Sequence, residues 1–167
     1  MTVVHATAVV AAAPERVWEV IGDPGHLPRW WPGVSRIEDV QADRWTQVLN
    51  TTKGRPVRAD FRLLESEPPG TPGQALGTGG RPPGRPRQAL GRRRWEQEIE
   101  GTPFERVLTE SITEVSVQAA GSGTRVTIEQ RQKLRGYARA GSFMLRRATD
   151  IKLAQALDAL AGVCGYD

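Results

Sequence analysis

The sequence has few of the residues that build covalent and metal-based sites. Its 167 residues include one cysteine, Cys164, and two histidines, His5 and His26. A single cysteine excludes an internal disulfide framework and is typical of a reducing compartment. Neither histidine has a cysteine or a carboxylate at ligand spacing, so we expect no metal site and no cofactor. Cys164 is expected to be a buried, unreactive thiol.

Long hydrophobic runs are also missing. No stretch approaches the roughly 20 apolar residues that span a bilayer, and no basic segment precedes the first apolar residues, as it does in a signal peptide. We therefore expect a cytoplasmic protein without membrane insertion. The apolar fraction is 38%, with 18 Gly and 12 Pro. That composition fits one domain, residues 1–167, with one segment that lacks regular structure.

The positive charge is concentrated in that Pro- and Gly-rich segment, residues 68–91, and the residues just after it. Six arginines and no acidic residue lie between Pro68 and Arg94, and removing them from the net charge of +4 leaves −2. Repeated prolines exclude a helix or a central strand, so we predict a loop insertion between two neighbouring strands. No aromatic residue is present there to stack on bases, and we expect no nucleic-acid partner.

Elsewhere, hydrophobic periodicity predicts one strand, two short helices, six strands and a long helix. The first strand is residues 2–10, the helices are residues 13–21 and 26–31, and Pro14 suits a first helical position. Short turns between the later strands indicate an antiparallel sheet. Those strands are predicted at residues 34–40, 45–50, 57–65, 94–100, 104–117 and 125–134.

The last helix is predicted at residues 138–163, with Gly165 after its end. Apolar residues recur there at steps of mostly three or four, which predicts a single inward face. Its members are Phe143, Met144, Ala148, Ile151, Ala154, Leu157 and Ala161.

Several motifs resemble the START/polyketide-cyclase (SRPBCC) superfamily. They are Ala13-Pro14-Glu15-Arg16-Val17-Trp18, Asp23-Pro24, Leu27-Pro28-Arg29-Trp30-Trp31-Pro32-Gly33-Val34, Gly101-Thr102-Pro103-Phe104 and the long final helix. The resemblance implies an α+β helix-grip fold, in which a curved seven-stranded antiparallel sheet surrounds the C-terminal helix. Two short helices follow the first strand. Members include lipid and hormone carriers, quinone-binding proteins, polyketide aromatases/cyclases and co-chaperone modules.

Strand alternation places several aromatic residues on the concave side of such a sheet. Period 2 puts Trp45, Trp95 and Ile99 there, and Phe61 follows by the same argument. These rings either fill the core or line a ligand pocket, in which Gln97 orients the ligand. The acidic residues of the fourth predicted strand after the helices face solvent instead: Glu96, Glu98 and Glu100.

Two further positions have open alternatives. Trp30 and Trp31 are adjacent, so we expect one ring to pack inward and the other to face solvent or the pocket mouth. Arg147 lies four residues after Phe143 and four before Ile151, which places it on or beside the apolar face. There it pairs with Glu110 or Glu129, or meets an anionic group of a ligand.

The predicted function is binding of an apolar or aromatic small molecule, of lipid, polyketide or quinone type, in a cavity between the sheet and the last helix. The predicted ligand-binding residues are Trp31, Trp45, Phe61, Trp95, Gln97, Phe143, Arg147 and Ile151. The alternative is a polyketide aromatase/cyclase acting in the same cavity, with Arg147, Gln97 and a buried glutamate as acid-base candidates. No catalytic residue stands out, and the oligomeric state is not predicted.

Overall fold

The computed structural model describes residues 1–51, 53–70 and 90–165, with the backbone only at residues 137–139. Most of the loop predicted at residues 68–91 therefore lies outside the described residues. One seven-stranded antiparallel sheet has the order β1-β7-β6-β5-β4-β3-β2. The strands are β1 (Thr2–Val10), β2 (Val34–Glu38), β3 (Arg44–Leu49), β4 (Val57–Glu67), β5 (Gly91–Gln97), β6 (Leu108–Ala120) and β7 (Gly123–Leu134).

Three α-helices complete the α+β helix-grip architecture, which confirms the predicted fold. The helices are α1 (Pro14–Ile21), α2 (Leu27–Trp30) and α3 (Ser142–Gly165). Pro14 occupies the first turn of α1, as predicted, where its missing N–H is not needed. The long helix α3 packs mainly on β1, with further contacts to α1, α2 and β7.

Two strands begin at positions that differ most from the prediction. β5 begins at Gly91, within the predicted loop, because its ladder with β4 continues to the pair Glu67 and Arg92. β6 begins only at Leu108, since a 3₁₀ turn occupies Pro103–Arg106. The Thr102 hydroxyl starts that turn by accepting the Phe104 N–H at 3.3 Å, which removes this segment from the ladder.

The two faces of the sheet differ in chemistry. The concave face carries the buried apolar core, including Trp95, Val115 and Ile128. The outer face carries ion pairs, such as Arg62 with Glu96 across the β4–β5 pair and Arg44 with Glu98 at 3.2 Å. The prediction that Glu96 and Glu98 lie on the outer face is confirmed.

The inward face of α3 was predicted wrongly. Its buried residues are Thr149, Leu153, Ala156, Leu157, Leu160 and Cys164, so only Leu157 of the predicted set is buried. Phe143, Met144 and Ile151 are instead 73%, 76% and 53% exposed. α3 has apolar residues on two sides. The side that packs against β1 and α2 is not the side with the predicted apolar stripe.

Candidate functional site

An aromatic cluster joins α2 to the concave face of the sheet. The ring centroids of Trp31 and Trp95 are 6.1 Å apart, as are those of Trp95 and Trp45. Phe61 stacks on Trp45 at 6.1 Å, across the β3–β4 pair. The structure therefore brings together four predicted ligand-binding residues, and each ring packs against another.

Trp31 does not face solvent, contrary to one part of the prediction. Trp30 and Trp31 are 1% and 7% exposed, and their rings meet edge to face at 5.4 Å. The chain turns out of the helix at Trp31, which has extended backbone angles, so consecutive side chains both point into the core. Trp31 reaches Trp95 in this way and closes the cluster on the α2 side.

Two cations contact the cluster. The Arg93 guanidinium lies 5.8 Å from the Trp45 ring centroid and donates a hydrogen bond to the Ser66 hydroxyl at 3.0 Å. The Lys152 ammonium lies 5.4 Å from the Trp31 centroid. Neither has a salt-bridge partner among the described residues, and residues 71–89 contain no acidic side chain. Neither cation is predicted from the sequence, although Arg93 shares the alternation that places Trp95 inward.

Burial acts on the ionisation of both groups. It lowers the pKa of the Lys152 amine below its ordinary value of 10.5, because a buried charge loses its hydration. It also lowers the pKa of Arg93, while the charge of Asp23 acts in the opposite direction. Buried Arg93 and half-buried Lys152 are therefore two positive charges whose hydration is reduced and whose neighbours supply little compensation.

Replacement of Lys152 by methionine is expected to stabilise the fold at pH 7, by about 1 kcal/mol, because an incompletely compensated polar group is removed. The unfolded chain binds more protons than the folded one between the lowered pKa of Lys152 and 10.5, so wild-type stability rises with pH there. The advantage of Lys152→Met should shrink across that window. Urea unfolding at several pH values measures it, with exposed Lys53→Met as the control. A pH-independent advantage would contradict this account.

Polar side chains occupy one end of the concave face. Gln130 donates to the Thr113 hydroxyl at 3.2 Å, and the Thr149 hydroxyl of α3 donates to Gln132 at 3.4 Å. The Nε2 atom of Gln97 and the Oε1 atom of Gln130 are buried without a hydrogen-bond partner in the described part of the chain. Buried polar atoms are rarely unpaired, so these two are available to a ligand or to water.

Two clefts open at this end of the sheet. The larger, about 690 Å³, lies between the start of α3 and the strands, and its lining includes Thr2, Thr109, Leu134, Phe143 and Arg146. The smaller, about 390 Å³, is lined by Gln97, Ser111 and Thr109 together with glutamates of the outer face. Because Thr109 borders both, the clefts adjoin and form the open end of the fold.

The remaining predicted site residues are divided between this end and the surface. Phe143 lines the larger cleft and Gln97 the smaller, whereas Arg147 and Ile151 are exposed on α3. The predicted pairing of Arg147 is wrong, because Glu110 pairs with Lys133 at 3.6 Å and Glu129 with Arg131. No described glutamate is buried, so the buried acid required by the enzyme alternative is not found in this part of the chain.

One comparison is with known protein families. Residues 1–75 match the family described as polyketide cyclase / dehydrase and lipid transport. The match covers just under half of the chain, and the helix-grip fold of the described residues agrees with it. The resemblance proposed from the sequence motifs is thereby confirmed. A search of curated protein sequences found no match.

Solved structures with the same START-like fold share little sequence with this chain. A START superfamily protein from Mycobacterium smegmatis is 12% identical with a TM-score of 0.64, and coverage is 98% of this chain and 97% of that one. The Thermus thermophilus protein TTHA0849 is 18% identical with a TM-score of 0.68, with the same coverage. The di-domain ARO/CYC protein BexL of the BE-7585A biosynthetic pathway is 19% identical with a TM-score of 0.69. The alignment covers 97% of this chain and only 46% of BexL, about half its length.

The part of the chain that the structure describes has no candidate metal site. No cluster of three metal-ligating side chains occurs there, and His5 pairs with Glu129 at 3.2 Å. Cys164 is buried, as predicted, and burial raises the pKa of its thiol against the opposing charges of Arg16 and Arg29. No described helix is both long and apolar enough to cross a bilayer.

Proposed function

We propose that the chain binds an apolar or aromatic small molecule, of lipid, polyketide or quinone type, between the sheet and α3. One observation carries the proposal: a cleft of about 690 Å³ opens between the start of α3 and the strands, and a second of about 390 Å³ adjoins it at Thr109. Ligand sites typically have volumes of about 300–1,000 Å³. The family description, which includes lipid transport, agrees with an apolar ligand.

The polar end of the concave face favours a ligand with hydrogen-bond acceptors. Gln97 offers a buried amide N–H without a partner among the described residues, and Ser111 lies beside it on the lining of the smaller cleft. A carbonyl or ether oxygen of the ligand is the complementary group. The tryptophans contact one another, and we assign them to the wall behind the ligand rather than to its direct contacts.

Filling the smaller cleft is expected to weaken binding of an environment-sensitive apolar dye. Ser111→Trp places an indole in the cleft and should raise the dye Kd about 10-fold or more, equivalent to about 1.4 kcal/mol. The matched control is Ser116→Trp on the same strand, because its side chain lies between the inward Val115 and Val117 and points to the outer face. Fluorescence titration measures both, with thermal midpoints as a check of folding.

Equal dye affinities for folded Ser111→Trp and Ser116→Trp would contradict the proposed location. Native mass spectrometry of the purified protein addresses the ligand directly, since a co-purifying molecule of defined mass identifies its chemical class. A loss of that adduct in Ser111→Trp is the expected result. Retention of the adduct in both variants would place the ligand elsewhere.

A second candidate function is aromatase/cyclase chemistry, which one observation favours. Arg93 is 6% exposed and makes no salt bridge within the described residues, so its charge can stabilise an enolate oxygen formed inside the fold. The two functions differ in the fate of a linear poly-β-ketone mimic. A binding protein returns the mimic unchanged, whereas an aromatase/cyclase converts it to an aromatic product.

A further inference from the structure

α3 carries a second apolar surface, separate from its buried residues. Phe143, Met144 and Ile151 are 73%, 76% and 53% exposed. Their spacing of one and seven residues places them on the same side of a helix with 3.6 residues per turn. Three of the eight large hydrophobic residues exposed in the described chain therefore lie within nine residues. Such clustering is typical of an interaction surface rather than of scattered surface residues.

Cations without partners accompany this surface. Arg146 and Arg147 lie between Met144 and Ile151, both exposed, and neither makes a salt bridge within the described residues. The only acidic residue between Ser142 and Lys152 is Asp150. Most arginines of the outer sheet face differ, among them Arg44, Arg62, Arg92 and Arg131, which pair with glutamates.

We propose that this surface, the α3 outer face (Phe143, Met144, Arg146, Arg147 and Ile151), docks on an anionic lipid bilayer. Apolar side chains of an interfacial helix enter the boundary between headgroups and acyl chains, while its arginines meet lipid phosphates. The helix lies on the membrane and does not cross it. The proposal does not depend on ligand binding, because Met144, Arg147 and Ile151 lie outside the linings of both clefts.

Charge favours a bilayer over the other possible occupants. A second copy of the chain placed face to face would bring two pairs of unpaired arginines together, which opposes association. A nucleic acid would satisfy the arginines but leave Phe143 and Met144 without an apolar environment. An anionic bilayer satisfies both the charges and the apolar side chains.

The larger cleft is continuous with the α3 outer face. Phe143 and Arg146 belong to both, so docking would place the opening between α3 and the strands against the lipid surface. A molecule leaving the bilayer would then reach Thr2 and Leu134 of the cleft without crossing bulk water. The docked orientation therefore gives an apolar ligand a direct path between the bilayer and the larger cleft.

Vesicle co-sedimentation tests the proposal on the full chain. Binding to vesicles of phosphatidylglycerol and phosphatidylcholine should exceed binding to phosphatidylcholine alone, and should fall with added salt. Each basic residue near an anionic surface contributes about 1 kcal/mol, so Arg146→Gln with Arg147→Gln should weaken binding about 30-fold. Phe143→Glu with Met144→Glu should abolish it.

Matched controls are available on other elements. Val9, 61% exposed on β1, provides Val9→Glu, and exposed Arg55 provides Arg55→Gln; both should bind vesicles as the wild type does. The proposal is overturned if the wild type ignores anionic vesicles, or if binding survives in both α3 double variants. If the wild type forms dimers at high concentration and the variant with Phe143→Glu and Met144→Glu stays monomeric, the surface binds a second copy of the chain instead.

Discussion

Replacement of Trp95 by alanine is expected to lower the free energy of unfolding by about 3–5 kcal/mol, the range for a fully buried Trp or Phe. Trp95 is 3% exposed and its ring contacts both Trp31 and Trp45. Its removal leaves a cavity at the junction of α2 and the sheet, where no neighbouring element closes the gap by itself. Urea denaturation monitored by far-UV circular dichroism gives the change, without dependence on tryptophan fluorescence.

The same substitution separates the two interpretations of the tryptophans. If Trp95 packs the core, Trp95→Ala loses stability while Trp95→Phe, which keeps much of the ring volume, loses far less. If Trp95 instead lines an open ligand space, its truncation should cost less than about 1 kcal/mol and change dye affinity instead. A stable Trp95→Ala protein with altered dye binding would show that the cluster belongs to the site.

Substitution of Gly123 by alanine is expected to cost about 2–3 kcal/mol through a steric clash. A methyl group at Gly123 would lie 2.5 Å from the carbonyl oxygen of Val10, a backbone atom in the neighbouring strand. The clash can be relieved only by separating β1 from β7 near Val10 and Thr124, which pair directly. Thermal unfolding measures the loss.

The control for this position is Gly136→Ala. A methyl group at Gly136 meets no atom within 4 Å, and its φ lies outside the left-handed region. We expect its thermal midpoint to stay close to that of the wild type. Equal midpoints for Gly123→Ala and Gly136→Ala would show that β1 and β7 can separate near Val10 with little loss of stability.

Much of the fold could be predicted from the local pattern of apolar and polar residues in the sequence. β1 was predicted with its observed ends, because alternation and β-branched residues continue up to the Ala-rich turn. The end of β5 was predicted less well: Gln97 closes the ladder, while Ile99 accepts the Thr102 hydroxyl at 2.6 Å in the following turn. Side chain-to-backbone bonds of this kind compete with strands and leave little trace in hydrophobic periodicity.

The candidate site was predicted less completely. Alternation found Trp45, Phe61 and Trp95 because a strand face is fixed by parity, whichever partners the strand has. It failed for α3, where Phe143 and Leu157 are equally apolar and only contacts made by distant residues distinguish inside from outside. Arg93 and Lys152 were missed because charged residues are rarely buried, which makes a surface position the default expectation.

The pairing of β1 with β7 has a consequence for how the chain reaches its fold. Thr2 pairs with Gln132, and every β1–β7 pair joins residues more than a hundred positions apart. β1 also provides the principal packing surface for α3. Contacts between residues so far apart in the sequence slow folding, because the chain loses the entropy of loop closure before the contacts stabilise it. During synthesis β1 has no strand partner until β7 has left the ribosome. This strand, which is rich in β-branched residues, is therefore unpaired during most of translation.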